Sequence, residues 1–246
     1  MKKLLCLLLC AATITAFGQG NTLYKINVVK PKAGMKSAFE DSWKMHLNKF
    51  HTGTDKRMVY EVISGSESGS YVLVEGPESY ADMDKTLATA KEHTLDLEKN
   101  FTPKLEVTGT NSIYRWADTL SYHGNVKADL LLIGITVIKD GKAPEFLTEL
   151  RRNALINEKI KSPVSVNIWV RQQAGSSPTI VSRRNLKDGY KELDTDYFKM
   201  GPDDFKNAYI ADYGQEAWDK RLKILVDDVV SREQFFEKMR PDLSSK

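Results

Sequence analysis

The sequence predicts an α+β fold built from two copies of one β-α-β-β-α-β unit, and three observations carry this prediction. The chain has 246 residues, 41% hydrophobic and 28% charged, an ordinary composition for a globular protein of one large or two small domains. Two short segments recur in the same order: 26–30 matches 135–139, and 80–84 matches 190–194. The order of predicted strands and helices is also the same in both halves, which favours an internal duplication.

Residues 1–18 are predicted to be a signal peptide that is removed from the mature protein. Two lysines follow the initial methionine, residues 4–12 form an unbroken apolar run, and Ala16 and Gly18 supply small residues before cleavage at Gln19. The apolar run is shorter than the roughly 20 residues needed to cross a bilayer, and no later segment is comparable. We therefore expect an exported protein, periplasmic or secreted, without a membrane span.

Cysteine content and charge exclude several function classes. Cys6 and Cys10 both lie in the predicted signal peptide, so the exported chain is expected to contain no disulfide, catalytic thiol or thiolate metal site. Cys10 follows three leucines, whereas a lipid-modified cysteine normally follows a small residue, and its lipidation stays open. The net charge of +3 is too small for a strong nucleic-acid-binding field, so no nucleic-acid partner is expected.

The first unit is predicted to span residues 22–124. In its first strand, apolar side chains alternate with Lys25 and Asn27, the pattern of a half-buried strand. The next segment places apolar side chains three and four residues apart, the pattern of an amphipathic helix. A Gly- and Ser-rich loop joins the following two strands as a hairpin. The predicted elements are strands 23–30, 57–63, 71–75 and 112–118, and helices 35–50 and 78–99.

Residues 125–129 are predicted to be a linker, and residues 130–244 the second unit. Pro144 lies in the first turn of its helix, where the missing N–H is tolerated. An insertion near 196–214 makes the second unit longer than the first. The predicted elements are strands 130–138, 164–172, 178–185 and 234–240, helix 144–160, and helical segments 186–193, 203–212 and 215–230.

The two units are expected to cover each other. A four-stranded sheet with both helices on one face leaves its other face bare, and a second copy in the same chain is the nearest partner. In strand 164–172 the even-numbered residues are apolar and are expected under the helices, which leaves Asn167, Trp169 and Arg171 on the open face. In strand 57–63 we expect the odd-numbered residues on the open face.

A small-molecule site is predicted between the two open faces, where polar and aromatic side chains meet. Arg183 is expected there, and a buried guanidinium needs an acidic partner or an anionic ligand. Glu61 or Glu75 is the expected partner, through a salt bridge between the units. The candidate ligand-binding residues are Asn27, Glu61, Trp116, Asn167, Trp169, Arg171 and Arg183.

The element order is that of ferredoxin-like domains, and with the duplication the chain resembles the dimeric α/β-barrel superfamily in its fused, two-repeat form. The resemblance covers nearly all of residues 22–244 and rests on element order and the repeat, without a diagnostic motif. It implies two ferredoxin-like repeats packed sheet to sheet as an intramolecular barrel, either as a monomer or as a homodimer. The superfamily includes antibiotic-biosynthesis-type monooxygenases, stress-responsive barrel proteins and chlorite-dismutase-like haem proteins.

No cofactor and no metal ligand are predicted, although haem stays a disfavoured alternative. The resemblance implies a haem-ligating histidine in the second repeat, whereas His46, His51, His93 and His123 all precede it. His46 shares a helix with Trp43, and packing is favoured over a functional role for it. His46 and His51 are five residues apart across a predicted helix end, which is not a usual spacing for a helical metal site.

The favoured function is non-enzymatic binding of a small molecule, or a stress-related role, through a barrel-type cavity. Nucleophilic catalysis lacks support, because the sequence contains no Gly-x-Ser-x-Gly motif. Nucleotide binding lacks support as well, because there is no phosphate-binding loop. The alternatives are a monooxygenase-type enzyme, cofactor-free or haem-dependent, and a structural module that binds a partner through its insertion. The sequence leaves open whether the protein is an enzyme.

Overall fold

The computed structural model describes residues 22–52, 57–85, 89–106, 111–122, 126–172, 177–194, 197–198, 201 and 203–245. The predicted signal peptide lies outside these ranges, as do residue 125 of the predicted linker and parts of the predicted insertion. None of the described helices is long and apolar enough to cross a membrane.

Eight strands form the sheet of the described chain: β1 (Leu23–Val29), β2 (Arg57–Val62), β3 (Tyr71–Glu78), β4 (Asn111–Trp116), β5 (Leu130–Ile138), β6 (Ser165–Arg171), β7 (Thr179–Asn185) and β8 (Val229–Met239). They pair antiparallel and close into one barrel in the order β1-β3-β2-β8-β5-β7-β6-β4. The first four strands are adjacent as β4-β1-β3-β2 and the last four as β8-β5-β7-β6. The halves join where β2 pairs with β8 and β4 with β6, so the sheet has no free edge.

Helices cover the outer face of the barrel: α1 (Lys36–Phe50), α2 (Tyr80–Met83), α3 (Ala90–Asp96), α4 (Ala143–Lys159), α5 (Asp204–Tyr213) and α6 (Gln215–Asp227). Phe39 and Trp43 of α1 pack over the first four strands, in one core with Val59. Phe146 of α4 packs over the last four strands, in a core with Ile168. A third apolar cluster fills part of the barrel interior. The fold is therefore α+β, with cores both inside and outside one closed sheet.

The second helix of the first half differs from the single helix predicted for 78–99. α2 begins at a capping box in which Ser79 and Asp82 bond each other's backbone N–H groups, and it ends after one turn. The chain is helical again in α3 and then passes into a wider, π-type turn at Leu97–Phe101. This turn brings the ring of Phe101 to 5.1 Å from that of Phe39. The contact between Phe101 and Phe39, and not a continuous α-helical repeat, therefore determines the course of the chain here.

The predicted strand faces are confirmed for β6 and wrong for β2. In β6, Ile168 packs beneath α4 and Trp169 faces the barrel interior. In β2, Val59 packs beneath α1 and Tyr60 faces the interior, the reverse of the prediction. Met58, Val59 and Tyr60 are all apolar, so alternation cannot say which face is which. The register with β3, which pairs Tyr60 with Val72, sets the orientation.

Each half of the barrel ends in a tail that crosses to the other half. A 3₁₀ turn at Asp118–Leu120 follows β4, after which Tyr122 pairs with Val166. A 3₁₀ turn at Pro241–Leu243 follows β8, after which the Ser245 N–H donates to the Arg57 carbonyl oxygen at 2.9 Å. Both tails therefore add to the second strand of the opposite half.

A serine fixes each tail by the same pair of hydrogen bonds. Ser121 Oγ accepts from the Ile168 N–H at 2.9 Å, and Ser244 Oγ accepts from the Val59 N–H at 3.0 Å. Each hydroxyl also donates to the carbonyl oxygen four residues earlier, at 2.8 and 2.9 Å respectively. The two tails are also alike in sequence, because a leucine precedes the serine in each, at Leu120 and at Leu243, so similar residues occupy the same local structure.

Candidate functional site

The first candidate site is a cavity of about 790 Å³ inside the barrel. Side chains from every strand except β3 line it, together with residues 126–129, which lead into β5. Four of the predicted ligand-binding residues are brought together here: Trp116, Asn167, Trp169 and Arg183. They reach one space because the inward positions of neighbouring strands lie side by side.

The other three predicted ligand-binding residues lie elsewhere. Arg171 faces the barrel interior beyond the cavity, where its Nη2 donates to Ser112 Oγ at 3.0 Å. Asn27 lies on the outer face of β1 and lines a smaller cavity beneath the helices. Glu61 lies on the outer face of β2, because the facing of that strand is the reverse of the predicted one. The barrel cavity therefore contains neither Asn27 nor Glu61 among its described lining residues.

The wall of the barrel cavity combines aromatic rings with hydrogen-bond donors. The rings of Tyr24 and Trp169 lie 4.4 Å apart at 33°. The buried indole Nε1 atoms of Trp116 and Trp169 have no hydrogen-bond partner within the described part of the chain. Because buried N–H groups are nearly always paired in folded proteins, these two donors point to an acceptor that arrives with a ligand or with water.

Arg183 is the buried charge of the barrel cavity. Its Nη2 lies 3.4 Å from Glu237 Oε2, and both side chains are less than 10% exposed. Its guanidinium also lies over the rings of Tyr60 and Trp169, at 4.3 and 5.2 Å from their centroids. Burial raises the pKa of Glu237, and the charge of Arg183 opposes that shift. The acidic partner is therefore Glu237 of the same half.

The predicted partners of Arg183 are engaged elsewhere, so that part of the prediction is wrong. Glu75 pairs with Arg57, Nη1 to Oε2 at 2.7 Å, on the outer face of the barrel. Glu61 pairs with Arg240, Nη1 to Oε2 at 2.8 Å, also on the outer face. Both corrections follow from the orientation of β2, which sets Arg57 and Glu61 outward.

Arg240 holds three carboxylates at the junction of the two halves. Its Nη1 lies 2.7 Å from Glu40 Oε1 and 2.8 Å from Glu61 Oε2, and its Nε lies 2.9 Å from Asp242 Oδ1. The hydrogen bond from Arg240 lowers the pKa of Glu40. A hydrogen bond from the same guanidinium lowers the pKa of Asp242 to about 2. The carboxylates of Glu40 and Asp242 therefore stabilise the fold in their ionised form.

Acid is expected to remove the contribution of this cluster. A carboxylate with a lowered folded-state pKa stabilises the protein above its unfolded pKa, and the contribution is lost as pH falls through the folded value. An Arg240→Met variant should thus be less stable than the wild type at pH 7, by a margin that shrinks between about pH 5 and pH 2. Urea denaturation at stepped pH measures the margin.

Arg232 provides the matched control for the acid experiment. Its Nη2 donates to the Leu225 carbonyl oxygen, which does not titrate, at 3.1 Å. The margin between wild type and Arg232→Met should stay constant over the same pH range. A constant margin for Arg240→Met as well would contradict the assignment of acid sensitivity to Glu40 and Asp242.

The second candidate site is a cluster of three histidines beneath α1. The Nε2 atoms of His46, His51 and His93 form a triangle with all three sides equal to 3.2 Å. His46 Nδ1 lies 2.8 Å from Asp96 Oδ2. His46 and His51 are 1% and 4% exposed, and burial lowers the pKa of His46 to about 4. His46 is therefore neutral at neutral pH, the form that has a lone pair to donate.

Helix ends position the three histidines. His46 lies on the buried face of α1, with its ring stacked 5.5 Å from that of Trp43. His51 follows the last residue of α1, and its N–H donates to the Leu47 carbonyl oxygen at 2.9 Å. His93 comes from α3 and lies with its ring edge toward the other two. The cluster lines a cavity of about 250 Å³, and Asn27, Arg57 and Glu75 lie on the same wall.

The sequence does not predict this cluster. His46 and His51 are five residues apart across a helix end, a spacing that does not indicate a metal site. The structure turns that end so that both rings face the same point, and it adds His93 from a helix more than forty residues away in the sequence. A clearer signal was the restriction of the histidines to one half of the chain, which is consistent with one shared site.

Solved structures with the same fold are found by comparison. An anthrone oxidase-like protein aligns with a TM-score of 0.57 and 10% identity over 90% of this chain and 92% of its own. A protein from Lactobacillus acidophilus NCFM that is assigned as a monooxygenase gives 0.55 and 9% over 92% and 96%. Chlorite dismutase from Candidatus Nitrospira defluvii, in complex with imidazole, gives 0.52 and 7% over 91% and 93%.

The chain therefore has the dimeric α/β-barrel fold, as the sequence analysis predicted. No protein-family model matches the chain, and no curated protein matches it. At identities of 7–10% the likeness concerns the fold alone, and one fold supports many functions.

Haem does not fit the histidine cluster. A haem iron takes its protein ligands only along the axis perpendicular to the macrocycle, because the porphyrin nitrogens occupy the other positions. Three imidazole nitrogens 3.2 Å apart converge from one side and leave no room for that plane. The adjoining cavity of about 250 Å³ is also below the usual range of 300–1,000 Å³ for ligand pockets.

Proposed function

We propose that the protein binds an aromatic, oxygen-bearing small molecule in the barrel cavity, without acting on it. The observation that carries this proposal is the pair of buried indole N–H groups, Trp116 and Trp169, that have no partner within the described residues. Asn167 lines the same space and adds amide donors. A volume of about 790 Å³ lies within the range of small-molecule sites.

The chemistry of the cavity selects the ligand class. Tyr24, Tyr60 and Trp169 offer ring faces, which favour a flat aromatic ligand. The charge of Arg183 is matched by Glu237, so the cavity does not require a strongly anionic ligand. The indole N–H groups call for hydrogen-bond acceptors such as carbonyl or phenol oxygens. A hydroxylated anthraquinone has both features and serves as a probe.

A monooxygenase activity is the second candidate function. It is supported by the names of two proteins with the same fold, one assigned as a monooxygenase and one anthrone oxidase-like. The aromatic wall of the cavity is compatible with a polycyclic phenolic substrate. Oxygen uptake in the presence of anthrone distinguishes the candidates: consumption with a new oxidised product supports the enzyme, and binding without consumption supports the binding protein.

The proposal also includes the organisation of the chain. We infer two ferredoxin-like repeats, 22–124 and 130–244, joined by a linker at 125–129 and preceded by a signal peptide at 1–18. The shared strand order of the two halves and the matching serine-fixed tails support the duplication. Export is proposed from the N-terminal sequence, and N-terminal sequencing of protein recovered from the periplasm or medium tests it, with Gln19 as the expected first residue.

Replacing Trp169 by Phe is expected to weaken binding of the anthraquinone probe about 2- to 10-fold. The change keeps an aromatic ring in the wall but removes one N–H donor, a net loss of about 0.5–1.5 kcal/mol. Isothermal titration calorimetry measures the affinity. Trp218→Phe, the same substitution on the outer helix α6, is the control and should bind the probe as the wild type does. Equal affinity of the two variants would contradict the site assignment.

A further inference from the structure

We propose that His46, His51 and His93 together bind one divalent transition-metal ion of the zinc type, with the fourth coordination position open to the small cavity. This metal site is separate from the proposed ligand site in the barrel cavity, since it lies on the outer face of the sheet beneath α1. The two cavities share none of their described lining residues.

The spacing of the three nitrogens is that of a tetrahedral metal site. An ion bound at 2.0–2.1 Å in tetrahedral geometry holds its ligand nitrogens roughly 3.3–3.4 Å apart. The three Nε2 atoms here are 3.2 Å apart on every side. An ion about 0.9 Å above their plane would reach all three at bonding distance. No side chain has to move by more than a small fraction of an ångström.

The imidazoles are also turned toward one point. Their ring centroids lie 4.6–5.1 Å apart, whereas their Nε2 atoms lie 3.2 Å apart. The Nε2 edges are therefore the parts of the three rings closest to a common centre. In a neutral imidazole the Nε2 lone pair lies in the ring plane, so this arrangement directs the donor orbitals of His46, His51 and His93 to the same place.

Mutual hydrogen bonding explains this arrangement less well. A proton on one Nε2 lies in its ring plane and points to the centre of the triangle, roughly 30° away from either neighbouring nitrogen. Such bonds are bent and weak, and the remaining lone pairs face each other. A shared cation instead satisfies all three nitrogens at once, which is the usual reason for buried histidines to converge.

Asp96 and Asn100 orient His46, one of the three proposed metal ligands. The carboxylate of Asp96 accepts at His46 Nδ1 (2.8 Å), which places the proton on Nδ1 and leaves the lone pair on Nε2. Asn100 Nδ2 in turn donates to the other Asp96 oxygen at 2.9 Å. Carboxylate–histidine–metal chains of this kind are typical of metal sites, because they fix the tautomer and raise the basicity of the ligand.

The ligand set defines the class of metal and what it does. Three imidazoles suit Zn²⁺, Co²⁺, Ni²⁺ or Cu²⁺ and exclude the hard ions Ca²⁺ and Mg²⁺, which prefer oxygen. Three protein ligands leave a position for water or a small anion, the arrangement of catalytic and not of structural zinc sites. The cavity of about 250 Å³ gives that position room, and the charge of Arg57 on its wall is matched by Glu75, so either water or a small anion can occupy it.

Metal titration of the untagged full-length protein, after chelator treatment, tests the proposal. We expect one equivalent of Zn²⁺ to bind, and one equivalent of Co²⁺ to give the intense visible bands of a tetrahedral site. Substoichiometric binding, or the weak bands of octahedral Co²⁺, would overturn it. Addition of azide to the Co²⁺ form should change those bands, and an unchanged spectrum would contradict the open fourth position.

Two variants and a control locate the ion. His93→Gln removes a ligand from the half-exposed helix α3 and should lower Zn²⁺ affinity at least about 100-fold. This is more than the loss expected when a residue that only orients a ligand is replaced. Asp96→Asn should lower it about 10- to 100-fold. His123→Gln changes the remaining histidine of the chain and should bind Zn²⁺ as the wild type does.

Folding and the barrel site are checked in the same samples. Circular dichroism establishes that His93→Gln is folded, which its half-exposed position favours. The anthraquinone affinity of this variant should be unchanged. A wrong assignment of the metal site is therefore distinguishable from a wrong assignment of the barrel site. Equal Zn²⁺ affinity of folded His93→Gln and the wild type would overturn the metal site.

Discussion

Replacing Arg183 by Met is expected to lower the free energy of unfolding by about 3–5 kcal/mol, one of the two largest effects we predict. The substitution removes one partner of a buried ion pair and leaves the carboxylate of Glu237 without its cation. It also removes the cation from the rings of Tyr60 and Trp169. Urea denaturation of the variant and the wild type at pH 7 measures the loss.

A double variant separates the cost of an orphaned charge from the value of the pair. Arg183→Met with Glu237→Leu removes both charges and should recover most of the lost stability, because well-packed apolar residues often replace a buried pair at little cost. Lys191→Met breaks an exposed pair with Asp188 and should change stability by less than about 1 kcal/mol. An equal loss for Arg183→Met and Lys191→Met would show that the Arg183 pair is not the strong interaction described.

The inward position of Arg183 is predicted from the sequence, but its partner is not. Strand β6 alternates clearly enough to set the faces of Asn167 and Trp169, and Arg183 lies directly opposite Asn167 in the β6–β7 hairpin, so it shares that face. Glu237 lies close to Arg183 only because β5 pairs with both β7 and β8, so that these two strands flank β5. Such long-range pairing leaves no local pattern in the sequence.

The orientation of β2 is the point at which sequence reasoning failed. Its central residues are apolar on both faces because the strand lies between two cores, one beneath α1 and one inside the barrel. A sheet buried on both sides loses the polar–apolar alternation that indicates facing. Because the facing of β2 is the reverse of the predicted one, Glu61 lies outside the barrel and not in the predicted ligand site. For the same reason Glu61 is not the partner of Arg183.

The predicted insertion shows what local patterns do specify. Helical segments are predicted at 203–212, within the insertion, and at 215–230, directly after it, and the structure has α5 and α6 close to those bounds. Their packing depends on contacts distant in sequence. Tyr209 is fully buried, and its hydroxyl donates to Glu149 Oε2 of α4 at 2.5 Å. Helical propensity is local, whereas the place where a helix docks is decided by a few such anchors.

The crossing tails indicate that the two halves depend on each other for stability. Leu243 is completely buried in the core beneath α1, although it belongs to the 3₁₀ turn that follows β8 in the other half. Trp43 of α1 donates from its Nε1 to the Leu243 carbonyl oxygen at 2.8 Å. The core of the first half therefore stays incomplete until the end of the second half is in place, and unfolding should be a single cooperative transition.

Leu243→Ala is expected to lower the free energy of unfolding by about 2–5 kcal/mol, because it leaves a cavity in a closely packed core. Leu120→Ala is the matched change in the other tail and should cost less, since Leu120 is only partly buried. Urea denaturation, followed by tryptophan fluorescence and by circular dichroism, measures both. If Leu243→Ala separates the two signals into distinct transitions, the halves fold independently and the mutual dependence inferred from the tails is wrong. If they stay coincident with a lower midpoint, the turn at Pro241–Leu243 contributes to the stability of the whole barrel.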